Sequence, residues 1–258
     1  MKPLIQVCLF LLMLCSQYGH ATTSITVTQT VHDKSSMTLQ YEQAPRLAQV
    51  MQDSLINSNS IAMTAQPEAI YWLGAALYDY NSEGVFQQKQ RNVLNALKTQ
   101  YTDMDKPDHI QSLQSLSAWV KNQQFLKREF IPLDFDSIRL KAELNPLLNG
   151  SYLLTLPTKP QDVTILGAVT QNGSQPFELR QHASEYLNNA MPLGDSNNSF
   201  AWLIQPDGTL HKYPIAYWNK QHIDIAPGAI VYLEFQGVRE NEQALNQQIL
   251  ELLRHWIR

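Results

Sequence analysis

The residues with the strongest claim to chemistry are Asp134-Phe135-Asp136, which spell D-x-D. That spacing holds a metal and a nucleotide sugar in glycosyltransferases. On a strand the two carboxylates share one face; at a turn or helix start they cap backbone N–H groups instead. The second use is the one expected here. Glycosidases also work with paired carboxylates, but 23 acidic residues make some such pair inevitable. His32, His109, His182, His211, His222 and His255 are scattered, with no H-x-H or H-x-x-x-H spacing to build a metal site. G-x-S-x-G and a phosphate-cradling glycine loop are absent. No catalytic residue, cofactor or metal is therefore expected. Trp202 and Tyr217-Trp218-Asn219 offer a different chemistry. Aromatic faces stack on sugar rings and an Asn carboxamide adds hydrogen bonds, although such side chains also serve as core or interface residues.

The compartment narrows these options. Lys2, an apolar run from Leu4 to Leu14 and the small residues of Gly19-His20-Ala21 read as a Sec-type signal peptide, cleaved after Ala21. Leu14 stands where a lipobox before Cys15 needs a small residue. Removal of residues 1–21 removes both cysteines, Cys8 and Cys15, and leaves a chain without disulfides. That suits a bacterial periplasm better than a stapled secreted domain. A periplasm supplies no nucleotide sugars, which argues against a D-x-D transferase. With 19 Lys and Arg against 23 Asp and Glu, no basic stripe suggests nucleic acid, and no second apolar run is long enough to span a bilayer.

The elements that position these residues alternate between the strand and helix periods. Ile25 to Thr30 alternates as a half-buried strand, and Met37 to Tyr41 is its expected partner. Leu47, Val50, Met51 and Leu55 mark a short helix. "IYWLGAALYDY" at 70–80 returns to the sheet, with Gly74 as a bend. A helical hairpin follows over about 83–125, with Asp108 as the expected N-cap of its second helix. Residues 128–140 alternate as strand material. Breakers at Asn145-Pro146 and Asn149-Gly150 set a domain boundary near 142. Ser151–Val169 then reads as a hairpin, residues 176–190 as a helix carrying Leu179, Ala183 and Leu187, and residues 199–215 as a hairpin turning at Pro206-Asp207-Gly208. A last strand pair is expected around Pro227-Gly228. The chain divides into a first domain, 22–142, a second, 143–240, and a terminal helix, 241–258. The similar order of elements in both domains suggests two copies of one small α+β unit.

The second domain, through "KPQDVTILGAV", "YLNNA", "LIQPDG" and "IAPGAIVYLEF", resembles the soluble-ligand-binding β-grasp domain of polysaccharide export proteins. With "IYWLGAALYD", "LDFDSIRL", "NPLL" and "YWN", the whole chain resembles GfcC-type capsule-biosynthesis proteins. The resemblance implies two β-grasp-like domains, a helical hairpin inserted in the first, and a C-terminal amphipathic helix. It also implies a periplasmic role in capsule or exopolysaccharide assembly or export, with no catalytic residues. It places an Arg near Arg128, expected to line a cleft between the insert and the sheet. A guanidinium there suits bidentate contact with a sugar carboxylate or phosphate; a surface position or an ion pair with Asp134 or Asp136 is the structural alternative.

In the terminal helix, Leu245, Ile249, Leu252, Leu253, Trp256 and Ile257 form one apolar stripe. Such a stripe closes the protein's own core, or docks on a partner or membrane surface. The function expected is that of a non-enzymatic accessory protein, binding polysaccharide, the outer-membrane export channel, or both. The alternatives are a periplasmic hydrolase or lyase and an adaptor acting through the terminal helix.

Overall fold

The computed structural model describes residues 22–30, 36–57, 70–102, 104–197, 199–219, 221–236 and 242–258. The expected leader, with both cysteines, lies outside them, as does His32. Alternation builds the first strand: in β1 (Thr23–Thr28) Ile25 and Val27 are fully buried while Ser24 and Thr26 are half-buried. β1 pairs antiparallel with β2 (Ser36–Tyr41) as expected, Ile25 opposite Leu39. Helix α1 (Leu47–Ile56) lays Leu47, Val50 and Met51 into the core beneath Ile25 and Val27. A 3-10 turn at Trp72–Gly74 then delivers the chain into β3 (Ala76–Asp79).

The helical hairpin lies where the sequence places it: α2 (Glu83–Thr102) and α3 (Pro107–Lys121). Pro107, not Asp108, sets the start of α3. Proline suits the first helical position because the N–H it lacks has no partner there anyway; Asp108 falls in the first turn, where its charge suits the helix dipole. The apolar faces of the hairpin, with Phe86, Val93 and Leu97 on α2 and Leu113, Leu116 and Val120 on α3, join the core of the second sheet. An insertion into one sheet therefore covers the other.

Residues 128–140 do not continue as a strand. β4 spans only Lys127–Glu129, and α4 (Phe135–Leu140) begins at Asp134. Asp134 accepts hydrogen bonds from the backbone N–H of Ser137 at 3.3 Å and from its hydroxyl at 2.6 Å. Capping thus explains half of the D-x-D, with Pro132 stopping the strand before it.

Ser151–Val169 is not a hairpin. β5 (Ser151–Thr155) enters the first sheet, parallel to β1 and antiparallel to β3, giving the order β2-β1-β5-β3-β4. β6 (Asp162–Gly167) belongs to the second sheet. The intervening stretch carries Pro157 and Pro160 and has none of the two-residue chemistry that closes a tight hairpin. The sheets therefore divide the chain between Thr155 and Asp162 rather than near 142.

The second sheet has the order β7-β6-β10-β8-β9, with β7 (Gly173–Pro176), β8 (Phe200–Ile204), β9 (Leu210–Pro214) and β10 (Ile230–Leu233). β8 and β9 turn at 206–208 as expected. The helix expected over 176–190 shrinks to α5 (Ala183–Asn189), which His182 caps; Leu179, outside it, is exposed. Residues 221–226, directly before Pro227-Gly228, form no strand; β10 pairs instead with β6 and β8.

Helix α6 (Glu242–Arg254) resolves the question its stripe raises. Leu245, Ile249, Leu252 and Leu253 are buried in the core of the second sheet. Ile257 packs with Ala76, Tyr78, Leu126 and Leu153. Trp256 is half-buried, edge-on to Trp119, with its indole N–H donating to Gln123 Oε1 at 3.0 Å. Of the two alternatives the stripe leaves open, the protein's own core occupies the apolar face. Burying each large aliphatic side chain contributes about 1.5–3 kcal/mol. The whole is α+β, two mixed five-stranded sheets with helices packed on them. Among the described residues no helix is long and apolar enough to cross a membrane.

Candidate functional site

Strand register sets one row of side chains across the first sheet, Thr38–Thr26–Leu153–Tyr78–Arg128. Directly paired residues point to the same face, here the face opposite the α1 core. The C-terminal tail covers the middle of the row: Tyr78 Oη donates to the carbonyl of Trp256 at 2.9 Å, and Ile257 packs on Tyr78 and Leu153. Arg128, at one end of the row, lines one cavity, and Thr26 and Leu153 line another.

At the Arg128 end lies a groove of about 660 Å³, where the edge of the first sheet meets the β8–β9 turn. Its wall includes Trp72, Phe130, Arg128, Arg254, Asp134 and Asp207. Trp72 is 38% exposed and Phe130 44% exposed. The Arg254 guanidinium stands 4.4 Å from the centroid of Phe130, and its Nε donates to the carbonyl of Gly208 at 3.2 Å. Gly208 has φ +85°, and a Cβ there would sit 2.5 Å from the Phe130 ring. Glycine therefore lets the turn and the ring close together.

Arg128 is buried in this wall. Its guanidinium donates to the carbonyls of Pro206 at 2.7 Å and Ala75 at 3.2 Å, so it ties the β8–β9 turn to the first sheet. The cleft it lines is bounded by that turn and not, as expected, by the helical insert. Its backbone N–H donates to His255 Nδ1 at 2.9 Å, and the His255 ring contacts both Phe86 and Phe130. Burial pushes the His255 pKa down to about 4, opposed by the nearby Glu251 carboxylate. The imidazole is thus neutral at pH 7, as its acceptor role at Nδ1 requires.

Both carboxylates of the wall are engaged locally. Asp207 accepts from the Thr209 N–H at 2.8 Å, and Asp134 caps α4. The hydrogen bond from Ser137 holds the Asp134 carboxyl below the usual carboxylate range. A general acid acting near neutrality needs the opposite shift. What the groove offers is ring faces and guanidinium charge.

The other expected contact residues stand elsewhere. Trp202 is half-buried, donates to Glu234 Oε1 at 2.8 Å, and lines a separate groove with Lys212. Tyr217 and Trp218 project from a loop, 96% and 74% exposed. Asn219 holds that loop, accepting from the Ala216 N–H and donating to the Ser199 carbonyl. Of the five, only Arg128 lies in the groove. The sequence reading missed Trp72, Phe130 and Arg254. The turn glycine at 208 was legible, but not the aromatic it meets.

Comparison with known families matches "Capsule biosynthesis GfcC, N-terminal" over residues 21–159 and "Capsule biosynthesis GfcC C-terminal" over residues 171–258. The first match ends between β5 and β6, where the chain changes sheets. The uncharacterized protein YjbG of Escherichia coli (strain K12) is 31% identical over 197 residues, which cover 75% of this chain and 80% of that protein.

Proposed function

We propose, for a chain that belongs to the GfcC family and so has a role in capsule biosynthesis, that it acts in the periplasm as a non-enzymatic assembly factor binding polysaccharide. The observation that carries this reading is the groove of Trp72, Phe130 and Arg254. Exposed ring faces suit the apolar faces of pyranose rings, and a guanidinium suits a sugar carboxylate or phosphate. The local engagement of Asp134 and Asp207 supports binding over hydrolysis, the rival reading. The leader-like residues 1–21 support the periplasm.

A second observation favours a protein partner as well. Tyr217 and Trp218 present adjacent exposed rings on a loop braced by Asn219. Aromatic side chains held this way are the kind that anchor interfaces, and the outer-membrane export channel is the partner proposed. The filled apolar face of the C-terminal helix weighs against an adaptor role through it.

Deleting the gene in a capsule-forming strain tests the proposal. Surface polysaccharide should fall, return with the wild-type gene, and return incompletely with Trp72→Ala at equal protein levels. Full restoration by Trp72→Ala would remove the groove from the account.

A further inference from the structure

We infer that the cavity lined by Thr26 and Leu153 of the same row is a second carbohydrate subsite, one that takes uncharged pyranose residues. The inference rests on the polysaccharide-binding reading and extends it to another part of the polymer. The cavity measures about 380 Å³, within the roughly 300–1,000 Å³ of small-molecule sites. It lies between β1 and the base of the helical insert, the cleft that the sequence had assigned to Arg128.

Its chemistry differs from that of the Arg254 groove. Hydroxyls come from Thr26, Thr28 and Tyr80, and carboxamides from Gln87 and Gln124. These groups both donate and accept, as the hydroxyls of a neutral sugar do. Thr26 and Thr28 share a face because strand side chains alternate. Phe125, Leu126, Leu153 and Ile257 supply the apolar floor for the C–H face of a ring. Among the described lining residues there is no Lys, Arg, His or Asp. Glu83 is their one carboxylate, and it accepts from Gln87 Nε2 at 3.0 Å. Against the described lining, an anionic residue would meet Glu83 and no counter-charge, whereas a neutral one meets matched polar groups.

The frame is fixed before any ligand arrives. Gln90 Nε2 donates to the carbonyls of Val120 at 2.8 Å and Gln123 at 3.0 Å, which locks α2 to the end of α3. Asp79 Oδ1 accepts from the Asn81 N–H at 2.8 Å, which holds the turn that carries Tyr80. Thr26 and Arg128 stand three strand spacings apart, roughly 14 Å. A short oligosaccharide passing over Ile257 would reach from the neutral cavity to the cationic groove.

The test is calorimetric titration of the purified protein with neutral tetrasaccharides of glucose, galactose and N-acetylglucosamine, and with galacturonic acid tetrasaccharide. The variants are Tyr80→Ala with Gln124→Ala, Gln87→Ala alone, and Trp72→Ala. All four positions are exposed, and unchanged thermal unfolding confirms that each variant folds. At least one neutral probe should bind, weaken ten-fold or more in the Tyr80/Gln124 variant, and weaken in Gln87→Ala. No neutral binding, or neutral binding blind to Tyr80, Gln87 and Gln124, overturns the second subsite. If the acidic probe still binds through Trp72, the polysaccharide reading survives that loss. If neither probe class nor the strain's own polymer binds, both readings fall.

Discussion

The backbone N–H of Arg128 donates to Nδ1 of His255 at 2.9 Å, and this bond joins the edge strand of the first sheet to the end of the C-terminal helix. Nearby, Leu126 N–H donates to the His255 carbonyl and Ile257 N–H to the Gln124 carbonyl. The chain end is a clasp between the sheets, and the Arg254 groove is built against it.

His255→Leu should lower stability by about 1–3 kcal/mol, because it strands the buried Arg128 N–H. His255→Gln, which keeps an acceptor, should recover part of that loss in urea unfolding. The pH dependence has a definite sign. The folded pKa of about 4 lies below the ordinary 6.5, so the unfolded chain takes up the proton first. Stability is full above about pH 6.5 and falls as pH drops towards 4, by about 3 kcal/mol. The slope over that window should flatten in His255→Gln.

Removing residues 242–258 should unfold the protein rather than release a folded chain with a lost interface. The deletion takes Leu245, Ile249, Leu252, Leu253 and Ile257 out of two hydrophobic clusters. Ile249→Ala alone should cost about 2–5 kcal/mol. Circular dichroism and urea titration read both. A folded, cooperative truncation product would contradict the clasp.

Arg128→Met keeps the aliphatic stem but strands the carbonyls of Pro206 and Ala75. A loss of about 2–4 kcal/mol is expected. Any fall in ligand affinity would follow in part from a loosened β8–β9 turn, so Trp72 is the cleaner probe of binding. Gly208→Ala should loosen the same turn by another route, driving a methyl into Phe130 at a positive φ.

Tyr217→Ala and Trp218→Ala should change stability by less than about 0.5 kcal/mol, since both rings stand in solvent. They should leave sugar binding in the Trp72 groove unchanged and weaken association with the export channel in pull-down experiments. Loss of polysaccharide affinity in either variant would move the sugar site to this loop.

Features set by local period were legible in the sequence: β1 with β2, the helical hairpin, the 206–208 turn and the stripe of the terminal helix. The stripe did not say what it covers, because period identifies a face and not its partner. The placement of β5 beside β1 was not legible either. That pairing spans more than a hundred residues of sequence, and the breakers at 145–150 are as strong as any near Pro157 and Pro160. The cap role of Asp134 was legible, but the helix after it was not, since Leu133 and Phe135 alternate with Asp134 and Asp136 as a strand does. The groove was the least legible, because Trp72, Phe130, Gly208 and Arg254 come from four separate segments and meet only when the sheets do.

The most direct measurement is binding of the strain's own capsular polysaccharide to the purified protein, wild type beside Trp72→Ala, with the polymer sized by chromatography before and after. The account predicts saturable binding, at least ten-fold weaker in Trp72→Ala, with polymer length unchanged. Shortened polymer, or equal binding by both proteins, would contradict it.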